Sequence, residues 1–186
     1  MFDGLMKMRL FIALNFSQEN KDLLAGITAD LAAISLTSRP VHRDNYHLTL
    51  AFIGESNAVD QLKCCIDAAA GSPFSLVASQ LGCFHRQGGD IIWLGIKPEP
   101  ALFQLQQRLA ANLKEAGFVL ENRPFRPHLT LLRQAVMPDD FDFRRYTVQM
   151  PELRQMIDRI SLMKSERIAG KLIYSELYGK DLASGA

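Results

Sequence analysis

The 186-residue chain is 48% apolar and 22% charged, an ordinary globular balance that excludes a disordered or fibrous protein. Its 21 basic and 20 acidic side chains leave a net charge of +1, so no bulk attraction to a polyanion is expected and any nucleic-acid contact must come from local clustering. No apolar run approaches the ~20 residues of a membrane span.

Residues 1–8 read as a variable leader, and the five apolar residues before Asn15 are too few for a signal peptide. Residues 9–14 predict a buried strand. Ser17 is a fair N-cap for an amphipathic helix whose stripe is Leu24, Ile27, Leu31 and Ile34. Arg39-Pro40 ends that region, because the residue before proline is pushed away from helical geometry. A strand follows from His47 to Ile53, closed by Gly54. A second helix begins near Asn57, with Asp60 completing an approximate capping box, Val59, Leu62, Ile66 and Ala69 as its stripe and Gly71 as its stop.

Residues 74–81 predict a strand, residues 86–90 a turn, and residues 91–96 another strand. Pro98 and Pro100 start a third helix with stripe Leu102, Leu105, Leu109, Leu113 and Ala116, stopped at Gly117. A strand opens at His128. Residues 137–150 read as loop, and residues 156–164 and 171–177 as two final strands with Gly170 between them.

One pattern stands out. His47-Leu48-Thr49-Leu50 recurs as His128-Leu129-Thr130-Leu131, 81 residues later. The same shift lays residues 10–14 over 91–95, so each half reads as strand, helix and His-x-Thr strand. The expectation is a duplicated α+β fold forming one compact bilobal domain over residues 1–186, with halves near 9–89 and 90–178. His and Thr at i and i+2 share a strand face, so two facing copies would put two imidazoles and two hydroxyls in one cleft. An imidazole with a pKa of about 6.5 can take a proton from water, and a second can give one to a departing oxygen. The threonines can hold phosphate oxygens where charge builds.

Metal chemistry is not expected. Beyond the two motifs only His42 and His85 remain, there is no HExxH or His–Cys cluster, and Cys64, Cys65 and Cys83 have neither zinc spacing nor a disulfide framework. They read as reduced thiols of a cytoplasmic protein. The chain also lacks GxSxG, the P-loop and the dinucleotide GxGxxG.

These residues resemble the 2′-5′ RNA ligase family, also called RNA 2′,3′-cyclic phosphodiesterases, within the two-histidine phosphoesterases. The resemblance is carried by Arg9-Leu-Phe-Ile-Ala-Leu14, Asn45-Tyr-His-Leu-Thr-Leu-Ala-Phe-Ile-Gly54, Ile92-Trp-Leu-Gly95 and Arg123-Pro-Phe-Arg-Pro-His-Leu-Thr-Leu-Leu-Arg133. It implies two mainly antiparallel sheets facing a central cleft, helices outside, and pseudo-twofold symmetry. It also implies metal-independent, cofactor-free opening of a 2′,3′-cyclic phosphate on an RNA end, tRNA fragments included, to a 2′-phosphate, with reversible 2′-5′ ligation in some members. By position, His47 is the implied general acid, His128 the general base, Thr49 and Thr130 phosphate holders, and Arg133 an added charge at the phosphate. Tyr46 departs from the aliphatic residue common there.

Around the motifs, Arg123 and Arg126 are candidate RNA-backbone contacts. Phe52 is three residues past Thr49, so it falls on the opposite face, in the core, unless the strand bulges; a nucleobase platform is the alternative. Trp93 reads as core, and His42 and His85 as surface residues. A monomer is expected. Two other readings stay open: a phosphodiesterase for small cyclic phosphates such as an ADP-ribose cyclic phosphate, and a non-catalytic RNA-binding regulator.

Overall fold

The structure is a computed structural model that describes residues 7–183. In chain order it runs β1 (Met8–Asn15), α1 (Gln18–Ile34), β2 (Thr37–Pro40), a 3-10 turn (Arg43–Asn45), β3 (His47–Ser56) and α2 (Val59–Ala69). There follow β4 (Phe74–Phe84), β5 (Asp90–Ile96), α3 (Pro100–Glu115) and β6 (His128–Val136). The chain ends with α4 (Phe143–Gln149), β7 (Leu153–Ile157), β8 (Arg159–Ile168) and β9 (Lys171–Asp181). Two antiparallel sheets form, β3-β1-β8-β9 and β2-β6-β5-β4-β7. Each sheet therefore draws strands from both sides of the repeat boundary. Of the expected leader, Met8 belongs to β1, and residues 1–6 lie outside the described residues.

The helices close the core with the stripes their spacing predicts. Leu102, Leu105, Leu109 and Leu113 of α3 are buried, as are Leu24, Ile27 and Leu31 of α1. Each such leucine is worth roughly 1.5–3 kcal/mol relative to an exposed one. Ser17 caps α1 by accepting from the Asn20 amide at 3.2 Å, while Ile34 at the far end stays exposed. Tyr46 is buried and donates its hydroxyl to Thr28 Oγ1 at 2.7 Å. That bond ties α1 to the residue before the first motif histidine, which an aliphatic side chain could not do.

Several boundaries differ from expectation, each for a physical reason. Gly54 does not end β3: its φ of +81° lets the strand pass through an irregularity and pair on to Ser56. β2 gives no sequence signal because it is brief and its side chains are mostly exposed, and it sits at a sheet edge where Pro40 is tolerated. No box caps α2; Ser56 Oγ accepts from the Ala58 amide instead. The expected loop at 137–150 contains α4, which buries no residue and so leaves no apolar period to read. Its Asp142 cap and the bond from the Leu81 amide to Thr147 Oγ1 hold it. The single strand expected at 156–164 is two, because the chain leaves one sheet at Ile157 and joins the other at Arg159.

Candidate active site

Both motif histidines stand at the first position of their strands, β3 and β6, each beside the strand that opens its copy of the repeat. His47 pairs with Asn15 and Thr49 with Ala13; His128 pairs with Gly95 and Thr130 with Trp93. The structural equivalents in β1 and β5 are thus Ala13 with Trp93 and Asn15 with Gly95, a shift of 80, although the motifs themselves are 81 apart. Laying residues 10–14 over 91–95 is one residue out of step. A one-residue slip exchanges strand faces, so Trp93, expected as core, is half-buried on the face of Thr130, while its neighbour Ile92 is in the core.

The ladders show a second shared device. After Thr49 the register skips Leu50 before Ala51 pairs with Ile12; after Thr130 it skips Leu131 before Leu132 pairs with Ile92. Each extra residue is a bulge that shifts the alternation of faces. Leu50 and Ala51 are both buried, and so are Leu131 and Leu132. The next residue, Phe52 in one copy and Arg133 in the other, consequently joins its His and Thr at the cleft. Phe52 is 40% exposed and is not the core residue that unbroken alternation predicts.

One cavity of about 920 Å³ is lined by His47, Thr49, His128, Thr130, Phe52 and Arg133. The two imidazoles are held alike. His47 Nδ1 lies 2.7 Å from the Asn45 carbonyl and His128 Nδ1 lies 2.6 Å from the Arg126 carbonyl. A carbonyl only accepts, so both rings carry a proton on Nδ1 and leave Nε2 for the reaction. The Asn45 side chain donates to the Leu172 carbonyl at 2.9 Å, anchoring the turn that aims His47. Thr49 Oγ1 sits 3.0 Å from His47 Nε2 and donates to it when that nitrogen is unprotonated.

Their surroundings differ. Phe11 and Tyr174 pack around His47 at ring separations of 4.8 and 5.1 Å. Phe84 and Trp93 stand 5.0 and 6.1 Å from His128. The Trp93 ring lies over Gly82 and Gly95, where a Cβ would come within 2.4 and 2.9 Å of it. Its indole nitrogen is buried without a partner. Burial pushes His47 down from the ordinary 6.5 to about 4, aided by the charges of Arg133 and His128. His128 is lowered too, by burial first and then by Arg133. Burial and the Arg133 charge thus disfavour the protonated form of both imidazoles.

Arg123 and Arg126 also line the cavity, with Arg123 paired to Glu121 at 2.9 Å. Arg126 precedes the strand, so it does not share a strand face with His128; its carbonyl orients that ring. His42 is an exposed residue before the 3-10 turn. His85 is exposed as expected, yet it corrects the absence of a His–Cys cluster. Its Nε2 lies 3.6 Å from Cys83 Sγ and its Nδ1 2.9 Å from Asp90 Oδ2. The three could hold a metal ion, but they do not line the cavity, and Asp90 also accepts from the Arg86 amide to close the turn. Sequence reading does not find Tyr174, which lies far from both motifs and becomes a neighbour of His47 only through the β8–β9 hairpin.

The arrangement is therefore two imidazoles, two hydroxyls and the Arg133 guanidinium at the motifs, with further arginines around the same cleft, equipment for a phosphate ester. Known proteins share the surrounding fold. The structure matches that of Escherichia coli LigT complexed with 3′-AMP with a TM-score of 0.79 and 28% identity, over 95% of this chain and 98% of that one. The chain is 29% identical over 179 residues to an RNA 2′,3′-cyclic phosphodiesterase of Thermotoga maritima, covering 92% of this chain and 94% of that protein. It is 37% identical over 130 residues to one of Geobacillus stearothermophilus, covering 67% of this chain and 41% of that longer protein. The model of the 2′-5′ RNA ligase superfamily matches residues 22–169, a stretch that holds both His-x-Thr motifs, and the chain belongs to that superfamily.

Proposed function

We propose that this protein is a hydrolase that opens a terminal 2′,3′-cyclic phosphate of RNA to a 2′-phosphomonoester, with the reverse reaction giving a 2′-5′ ligation. The observation that carries the reading is the matched pair of imidazoles, each with Nδ1 tied to a backbone carbonyl and Nε2 turned to one cleft. In the hydrolytic direction one Nε2 takes a proton from water as its oxygen attacks phosphorus. The other gives a proton to O3′ as the P–O3′ bond breaks, leaving phosphate on O2′. Arg133 and the two threonine hydroxyls stabilise the charge on the non-bridging oxygens. Phe52 offers a stacking face for the terminal nucleobase.

Family resemblance makes His47 the acid. For His47 to hold a proton at neutral pH, the bound phosphate must raise its low affinity, which an adjacent anion does. The same burial favours a second order, with His47 as the base and His128 as the acid. A substrate with sulfur in place of O3′ separates them, since a thiolate leaves without protonation. The variant lacking the acid regains turnover on that substrate, and the variant lacking the base does not. Recovery in His47→Ala supports the resemblance, and recovery in His128→Ala supports the reverse order. Recovery in neither contradicts a general acid at either position.

A further inference from the structure

The cavity is too large for its chemistry. At about 920 Å³ it lies near the top of the roughly 300–1,000 Å³ that holds one drug-sized ligand, and the histidines and threonines occupy one part of it. The remainder is a wing between α3 and residues 120–126. Its α3 side is Gln106, Gln107, Ala110, Ala111 and Lys114, which recur at helical spacing along one face. The two alanines make a low floor, with amides at one end and an ammonium at the other. Asn122, Arg123 and Arg126 face them from the loop.

Charge gives the cleft a direction. The wing and its rim carry Arg86, Lys114, Arg123 and Arg126, and among the described residues only Arg123 has a carboxylate partner, Glu121. A second cavity of about 290 Å³ borders Asn15, the partner of His47 in the β1–β3 ladder. It is lined by Asp158 and Glu176, and its one cation, Arg159, is held by Glu176 at 3.0 Å and Asp181 at 2.5 Å. An RNA 3′ end seated at the histidines has to send its remaining nucleotides somewhere. A polyanion is held best over the wing, where Arg86, Lys114 and Arg126 have no carboxylate partner among the described residues, and worst beside the second cavity, where the carboxylates lie.

We propose that the wing between α3 and residues 120–126 is a binding subsite for the nucleotides immediately 5′ of the cyclic-phosphate end. Lys114 and Arg123 meet the backbone phosphates, and a base lies on the Ala110–Ala111 floor with Gln106, Gln107 and Asn122 at its edges. This deepens the reading of the site as an RNA cyclic phosphodiesterase and rests on it. The subsite makes single-stranded RNA the substrate class, since a base paired in a duplex could not reach the floor.

The test compares kcat/KM for a 2′,3′-cyclic mononucleotide and for a tetranucleotide with the same cyclic end. Wild-type protein is set beside Lys114→Glu, Ala111→Trp and Asp158→Lys. Wild type is expected to prefer the tetranucleotide by about tenfold, the worth of one or two ionic bonds to backbone phosphates. Lys114→Glu reverses charge and Ala111→Trp fills the floor without touching charge; each should cut that preference severalfold. Asp158→Lys in the second cavity should leave the preference as it is. The salt dependence of kcat/KM on the tetranucleotide should flatten by about 0.7 in log–log slope for each phosphate that Lys114→Glu no longer neutralises. Equal kcat/KM on the two substrates, or a preference that survives both wing variants, overturns the subsite. A preference raised by Asp158→Lys alone overturns its direction. Failure of wild type to open even the mononucleotide sinks the underlying reading instead, so the two failures are distinct.

Discussion

The two copies of the repeat keep the same histidine, threonine and bulge and differ in the side chains around them. In each, a carbonyl two residues upstream holds Nδ1, a threonine follows on the same face, and a one-residue bulge turns the fifth residue after the histidine into the cleft. That fifth residue is Phe52 in one copy and Arg133 in the other. The residue paired with the threonine is Ala13 in one and Trp93 in the other. Divergence of this kind fits a substrate that is itself two-sided, with a flat apolar base against one strand and an anion against the other. The comparison also separates the histidines: His47, between Phe11 and Tyr174, is pushed to about 4, while His128 sits in the more open half.

The largest effect expected is loss of the shared part. His47→Ala and His128→Ala should each lower hydrolysis about 10²–10⁴-fold with the fold intact by circular dichroism, and the double variant should lose less than the product of the two. Near-native turnover in either single variant breaks the comparison at its root. Next is the charged member of the divergent pair. Arg133→Ala should cost on the order of 10²-fold on mononucleotide and oligonucleotide alike, because the proposed mechanism sets it against the reacting phosphate. Its counterpart, Phe52→Ala, should raise KM about tenfold and leave kcat within a few-fold, since stacking holds the substrate equally before and during reaction. Equal effects on kcat from both would show that the two positions do not divide the work as described.

The smallest effect concerns stability. Folded His47 stays neutral down to about pH 4, whereas an unfolded imidazole binds a proton below about 6.5. Its contribution is therefore fully present above pH 6.5 and declines as pH falls toward 4. Urea denaturation should find the protein on the order of 2 kcal/mol less stable at pH 5 than at pH 7.5, with the difference reduced in His47→Gln. A pH-independent midpoint would contradict the buried neutral state. The same shift should show in rates: an anionic substrate raises the proton donor's affinity, so its pKa from kcat should exceed that from kcat/KM.

The histidines and threonines are legible in the sequence because a strand puts i and i+2 on one face whatever the rest of the fold does. The α3 stripe is legible because four leucines at helical spacing have one way to be buried. Phe52 and Trp93 are not, since both depend on register. A bulge at Leu50 and an 80-residue rather than 81-residue equivalence each move a side chain to the other face without any mark in composition. Tyr174 and the Cys83–His85–Asp90 cluster arise from hairpins, whose pairing partners are set by tertiary structure. The α3 wing is invisible for a related reason: its polar residues look like an ordinary solvated helix face until the loop at 120–126 folds over against them.

In the proposed mechanism two imidazoles open a cyclic phosphate toward O2′ with no need of a metal ion. The direct measurement is phosphorus NMR of an RNA ending in 2′,3′-cyclic phosphate, incubated with the protein in excess EDTA. Conversion to the 2′-phosphomonoester at an undiminished rate is expected, and no conversion with His47→Ala or His128→Ala. A 3′-phosphomonoester, or turnover that appears only when zinc or manganese is added, would contradict it.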